Sequence, residues 1–145
     1  MENEVHRQPA PAPYPHCYGC GAENPVGLKL DFELDGNELR ARFVPMDDHQ
    51  GYPGIVHGGV ISSLLYEVMA NVTRYLGDEG VLRRYAVEFR RPVPVGKPLL
   101  VTAKVVEEIP RGWRLAAVIL DESDHRLASA TGESVRQDRH NLQTG

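Results

Sequence analysis

From His57 onward, apolar residues recur at helical spacing, with Val60, Ile61, Leu64, Leu65, Val68, Met69 and Val72 on one broad face until Gly77 supplies a stop. No other long stretch shows this period. A single helix with so wide an apolar stripe has to be wrapped by a sheet and not merely laid on a surface. The rest of the chain supplies that sheet. Leu28, Leu30, Phe32 and Leu34 alternate with Lys29, Asp31 and Glu33, and after the turn Asp35-Gly36-Asn37 the residues Leu39, Ala41 and Phe43 alternate with Glu38, Arg40 and Arg42. Period-two runs on either side of a short turn predict an antiparallel hairpin. Beyond the helix, Tyr85–Phe89, Leu99–Val106, Trp113–Leu120 and Leu127–Val135 read as four further strands. Their connections include Gly96-Lys97-Pro98, Pro110-Arg111-Gly112 and Asp121–Asp124. Connections this short normally join neighbouring antiparallel strands. The expectation is an α+β fold, an antiparallel sheet of about five or six strands wrapped around one long central helix.

At 145 residues the chain is one domain in size, and such a chain buries roughly 70% of the surface its unfolded form exposes. Its 41% apolar and 25% charged residues exclude a wholly disordered chain. With a net charge of −4 and no basic run, it lacks the cationic stripe that binds nucleic acid. The N-terminus lacks a signal-peptide pattern and no segment reaches the roughly 20 apolar residues that span a bilayer, so the expectation is no membrane association and a cytoplasmic location. Residues 1–16, with Pro9, Pro11, Pro13 and Pro15, read as an extended or disordered leader. The folded domain is expected over residues 17–136, and residues 137–145 read as a flexible tail. Cys17 and Cys20 are spaced as Cys-Tyr-Gly-Cys, which fits a redox pair, half a zinc site or two thiols packed in a turn. A tetrahedral site needs two more ligands, and neither His16 nor His6 stands at a recognised second-pair spacing, so the turn reading is preferred and no metal is expected.

Three segments carry a family likeness. They are His49-Gln-Gly-Tyr-Pro-Gly-Ile-Val-His57-Gly-Gly-Val, then Leu64-Leu-Tyr66-Glu67-Val-Met, then Phe89-Arg-Arg-Pro-Val-Pro-Val-Gly96. Together they resemble the hot-dog-fold acyl-CoA thioesterases, in particular the 4-hydroxybenzoyl-CoA and phenylacetate-pathway types. The resemblance extends to a branch that opens with Cys-x-Gly-Cys-Gly and Asn-Pro-x-Gly-Leu, as Cys17 to Leu28 does here. It spans roughly residues 17–136 and implies the hot-dog fold, an acyl-CoA substrate that brings its own coenzyme A, no separate cofactor, and a homodimer or dimer of dimers with sites across a subunit boundary.

The physics of a helix start agrees with that implication. The first N–H groups of a helix have no intrahelical partner and attract negative charge, and a thioester carbonyl becomes an oxyanion when attacked. By resemblance the polarising donor is the Gly58 amide, with Gly59 letting the ligand approach the backbone. Losing such a donor costs about 3 kcal/mol of transition-state stabilisation. His57 fits either a structural helix-start role or direct substrate contact. Gln50 corresponds to an amide that orients carbonyl or water in related enzymes, or else is an ordinary loop residue. Arg83, Arg84, Arg90, Arg91 and Lys97 could meet the phosphates of coenzyme A. Strand alternation would put Arg90 and Arg91 on opposite faces, leaving one of them for substrate.

The chain departs from the family at its central residue. The resembled enzymes carry Asp or Glu nine residues after the histidine, as nucleophile or general base, where this sequence has Tyr66. Tyrosine is a poor base at neutral pH. Glu67 follows, but one helical step turns it about 100° away, in line with Ser63, Leu64 and Asn71, whereas Tyr66 aligns with Ser62, Ala70 and Thr73. Glu67 is therefore either the working carboxylate or a residue kept for structure. A triad of Ser62 or Ser63 with His57 and Glu67 lacks the nucleophile-elbow sequence. Two functions follow: acyl-CoA thioester hydrolysis, with Gly58 and Glu67 as the catalytic candidates and Gln50, His57, Gly59, Tyr66, Arg90 and Arg91 around the substrate, or acyl-CoA or small-acid binding without turnover.

Overall fold

The computed structural model describes residues 14–137. The expected leader lies outside the described residues over positions 1–13, and the expected tail over 138–145. Residues 14–16 belong to the first turn, where Cys17 N–H donates to Tyr14 O and Glu23 N–H to Pro15 O. Arg74 stands over the Tyr14 ring at 5.1 Å.

The order of elements is β1 (Glu33–Asp35), β2 (Glu38–Phe43), a 3-10 turn (Asp47–His49), α1 (Gly58–Tyr75), β3 (Gly80–Phe89), β4 (Leu99–Ile109), β5 (Gly112–Leu120) and β6 (Arg126–Arg136). The strands form one antiparallel sheet in the order β1-β2-β4-β5-β6-β3. Helix α1 packs against β2 through β6. Its Ile61, Leu64, Leu65, Val68, Met69 and Val72 are buried against the inward residues of the sheet, among them Leu39, Val101, Leu115, Ile119 and Ala128. Burying a side chain of that size contributes about 1.5–3 kcal/mol. A helix that contains Gly58, Gly59, Ser62 and Ser63 has weak intrinsic propensity and depends on this face. It ends where expected. Gly77, at φ +96, accompanies bonds from Asp78 N–H to Thr73 O and from Gly77 N–H to Arg74 O, which satisfy the last carbonyls.

Three strand expectations are corrected. The run 28–34 keeps its alternation of burial, with Leu28, Leu30 and Leu34 inside, yet only Glu33–Asp35 is regular strand. Leu28 and Leu30 donate instead to Tyr18 O and Gly19 O, and Lys29 has φ +53. Strand β3 begins five residues before Tyr85, at Gly80; an extra residue at Arg83, where the register with β6 shifts, breaks the period-two pattern. Nor do β3 and β4 neighbour each other despite their short connection. β3 pairs with β6 at the sheet edge, whereas β4 lies between β2 and β5. Residues 90–98 span between these positions, a separation that connection length alone does not reveal.

Candidate active site

The site is built on the loop before α1. Its backbone is closed by Gly51 N–H to Ile55 O, Val56 N–H to Val93 O and His57 N–H to His49 O. A Cβ at Gly51 would come within 3.2 Å of the His57 backbone and ring, so a glycine lets the loop fold onto the histidine. Gln50 is committed to this loop. Its Nε2 donates to Asp47 O at 2.8 Å and its Oε1 accepts from Gly54 N–H at 2.5 Å, the bonding of a structural loop residue.

His57 is the N-cap of α1, and its Nδ1 accepts from Gly59 N–H at 2.8 Å. In the neutral ring the proton therefore sits on Nε2. This cap separates the two glycine amides: Gly59 is satisfied, whereas Gly58 N–H has no acceptor among the described residues. Gly58 lines a cavity of about 700 Å³ together with His57, Ile61, Phe89, Val93 and Leu127. Its wall is largely apolar, and Tyr52 and Phe89 stand exposed at its margin. An apolar pocket with an unpaired N–H at a helix start matches the needs of an acyl group joined to a polarised carbonyl.

Both Arg90 and Arg91 line this cavity, contrary to the expectation from alternation. The reason is that β3 has ended at Phe89 and both following amides donate to the same carbonyl, Leu127 O. The arginines differ in their partners. The Arg90 guanidinium reaches Glu88 at 2.9 Å and Ser129 at 3.3 Å, whereas that of Arg91 has none among the described residues. Arg84 pairs with Glu133 and lies outside the cavity lining, as do Arg83 and Lys97.

Neither Tyr66, at the family's carboxylate position, nor Glu67 lines the cavity in the same chain. Tyr66 and Glu67 follow Gly58 by eight and nine residues, which at 1.5 Å per residue is about 12–13 Å along the helix axis. Tyr66 is 39% exposed and its ring lies 5.9 Å from that of Tyr85, whose hydroxyl donates to Ser62 O. Burial, with the neighbouring Glu67 charge, raises the Tyr66 pKa above the ordinary phenol value, so its hydroxyl stays protonated at neutral pH. Glu67 takes another direction, against the Cys17–Cys20 turn, where a Cβ at Gly19 would fall on its carboxylate. Burial raises its pKa, opposed by a hydrogen bond from Asn71 and by Arg74. No Asp or Glu is among the described residues that line the cavity. Sequence reasoning passed over Ile55, Ile61, Phe89 and Leu127 as site residues, because an apolar lining residue has the same pattern as a core residue.

Residues 53–126, half of the chain, match the model of the thioesterase superfamily. The chain belongs to that superfamily. Among solved structures, a thioesterase superfamily protein shares 28% identity over 83% of this chain, with a TM-score of 0.79, and the chain spans 60% of that protein's length. The Escherichia coli PaaI protein, from the phenylacetic acid degradation operon, shares 21% identity over 77% of this chain and 81% of its own, with a TM-score of 0.71. A Streptococcus mutans protein solved with acetyl-CoA bound shares 17% identity over 74% of this chain and 88% of its own, with a TM-score of 0.69. The latter two likenesses concern the fold alone. A comparison with curated proteins yields no match. The fold is thus the hot-dog thioesterase fold, and among the described residues no helix is long and apolar enough to cross a membrane.

Proposed function

We propose that the protein is an acyl-CoA thioesterase in which the Gly58 amide polarises the thioester carbonyl. The observation that carries this reading is the split between the two glycines. His57 caps Gly59 and leaves Gly58 N–H free at the positive end of a helix, inside an apolar cavity of about 700 Å³. Water adds to the carbonyl carbon, the oxyanion is held by Gly58, and the carbon–sulfur bond breaks to release the acid and the coenzyme A thiol. Arg91, at the rim, is the cation for a coenzyme A phosphate.

The water-activating group comes from outside the cavity of one chain. The 12–13 Å that separate Gly58 from Tyr66 and Glu67 along the helix favour a site completed by a second copy. Edge strand β3, which carries Tyr85 beside Tyr66, offers an unpaired backbone for such a copy. The proposed assembly is a homodimer or a dimer of dimers in the cytoplasm. The alternative, an acyl-CoA-binding module without turnover, is favoured by one observation: the residue at the family's carboxylate position is a protonated tyrosine and Glu67 faces another turn.

Free-thiol release from a panel of acyl-CoAs separates the two. Turnover by the wild-type chain supports the hydrolase, and a further rise in Tyr66→Asp is expected if the rest of the scaffold is intact. Saturable acyl-CoA binding with no turnover supports the binding module, and absence of both overturns the two readings together.

A further inference from the structure

The sequence presents Cys17 and Cys20 as half of a possible ligand set, and the tertiary structure supplies a third member from a different element. The two sulfurs and a carboxylate oxygen of Glu67 all lie within 4.8 Å of one another, each side chain partly buried. We propose that Cys17, Cys20 and Glu67 form a zinc-type metal site that clamps the N-terminal turn to the central helix.

Four features of this corner fit a divalent ion of borderline softness. The ligands are two thiols and one carboxylate, a donor set suited to Zn²⁺. Zn–S and Zn–O bonds of about 2.3 and 2.0–2.2 Å bring adjacent tetrahedral ligand atoms to roughly 3.5–3.8 Å, so side-chain rotations of about 1 Å would close the site. Cys20 N–H already points at Cys17 Sγ, 3.5 Å away, which holds the two cysteines in one compact turn. Gly19, between the cysteines, has no side chain, and any Cβ there would occupy the space of the Glu67 carboxylate. The glycine is therefore needed for the turn and the helix to bring their ligands together.

The charge balance points the same way. Three acidic groups crowd this partly buried corner, and a bound dication offsets their charge. Two thiol protons leave to solvent as the ion binds, and two thiolates with one carboxylate carry one negative charge beyond the metal's own. Arg74, whose charge acts on both Cys20 and Glu67, offsets it. Water is the fourth ligand of this proposal, since His16 stands outside the cluster, 81% exposed at its side chain and 3.9 Å from Glu23. Leu28 and Leu30 donate to the carbonyls of Tyr18 and Gly19, so a metal here would fasten residues 17–30 as one unit onto α1. This inference is independent of whether the protein hydrolyses thioesters.

The test is a Co²⁺ titration of the full chain, stripped with chelator and kept reduced. The expected result is one ion per chain, a thiolate-to-cobalt charge-transfer band, the intense visible bands of a tetrahedral site, release of about two protons per ion, and bleaching by Zn²⁺. Cys17→Ser and Cys20→Ser lose the charge-transfer intensity. Glu67→Gln retains it but weakens binding by more than about 100-fold, beyond the roughly 10- to 100-fold cost of losing an outer-shell partner. His16→Ala binds as wild type. A reduced, folded wild-type protein that shows no charge-transfer band overturns the proposal, whatever the variants do. So does a band that survives Cys17→Ser, or unchanged affinity in Glu67→Gln. Formation of a Cys17–Cys20 disulfide by a protein that takes up no cobalt when reduced also overturns it.

Discussion

Replacing Gly58 with proline removes the N–H donor at a helix position that tolerates the added ring. Gly58 is the first residue of α1, the helical position that tolerates proline best, because its N–H has no intrahelical acceptor. His57, at φ −60 and ψ 137, already has the extended geometry required before a proline. A Cβ at Gly58 would meet the Phe89 ring at 3.5 Å, ordinary contact distance. The backbone angles and the added Cβ are therefore compatible with proline, and the unfolded chain loses freedom, a change that stabilises by about 0.4–1 kcal/mol where the native geometry is compatible. The thioester carbonyl, in contrast, loses its proposed donor. Loss of one oxyanion-hole donor costs about 2.7–4 kcal/mol, or roughly 100- to 1,000-fold in kcat. Thermal unfolding and thiol release measured on the same preparations read both effects. Gly58→Ala, which adds the carbon but keeps the N–H, isolates the donor from crowding and should lie much closer to wild type. A Gly58→Pro protein that folds, melts at or above the wild-type temperature, and keeps kcat/KM within about threefold of wild type would refute the reasoning.

His57→Ala should lower stability by about 1 kcal/mol through loss of the cap to Gly59, and His57→Asn should restore most of it; equal calorimetric melting temperatures for all three proteins would contradict a capping role. Arg91→Ala should raise KM for acyl-CoA about tenfold at low salt, with the gap narrowing as salt rises, because its guanidinium has no partner among the described residues. A salt-independent KM would remove Arg91 from phosphate binding. Asp121 lies below the ordinary aspartate range, chiefly through the N–H of His125, with the His125 ring and Ser123 N–H adding to it. A depressed folded pKa means the native state binds fewer protons than the unfolded chain, so the contribution is present above about pH 3.9 and is lost as pH falls through the folded value. Urea midpoints of wild type and Asp121→Asn should converge in acid; a constant gap across that range would count against the account.

Much of the fold is legible in the sequence because period and punctuation are local. The apolar stripe from Ile61 to Val72, its stop at Gly77, and at least part of each of the six strands follow from spacings within a few residues, although residues 28–32 alternate without forming strand. Strand order is different in kind. The placement of β3 beyond β6, and of β4 beside β2, depends on which edges meet after the sheet curls around α1, and no spacing within residues 80–109 encodes it. The bulge at Arg83 hid the first half of β3 for a related reason, since an extra residue erases the alternation that marks a strand.

The site divides along the same line. Sequence alone determined that His57-Gly58-Gly59 opens the helix, because caps and helix starts are short-range features, and that Tyr66 stands where a carboxylate was expected. Only the tertiary structure decided which glycine amide is left free, since that depends on the ring nitrogen of His57 turning back to Gly59. It also decided the fate of Gln50, bound within its own loop, and brought both Arg90 and Arg91 to the cavity past the end of β3. Above all it sent Glu67 to the Cys17–Cys20 turn and away from the Gly58 cavity. A helix carries its side chains in every direction, and what each one meets is set by packing partners distant in the chain.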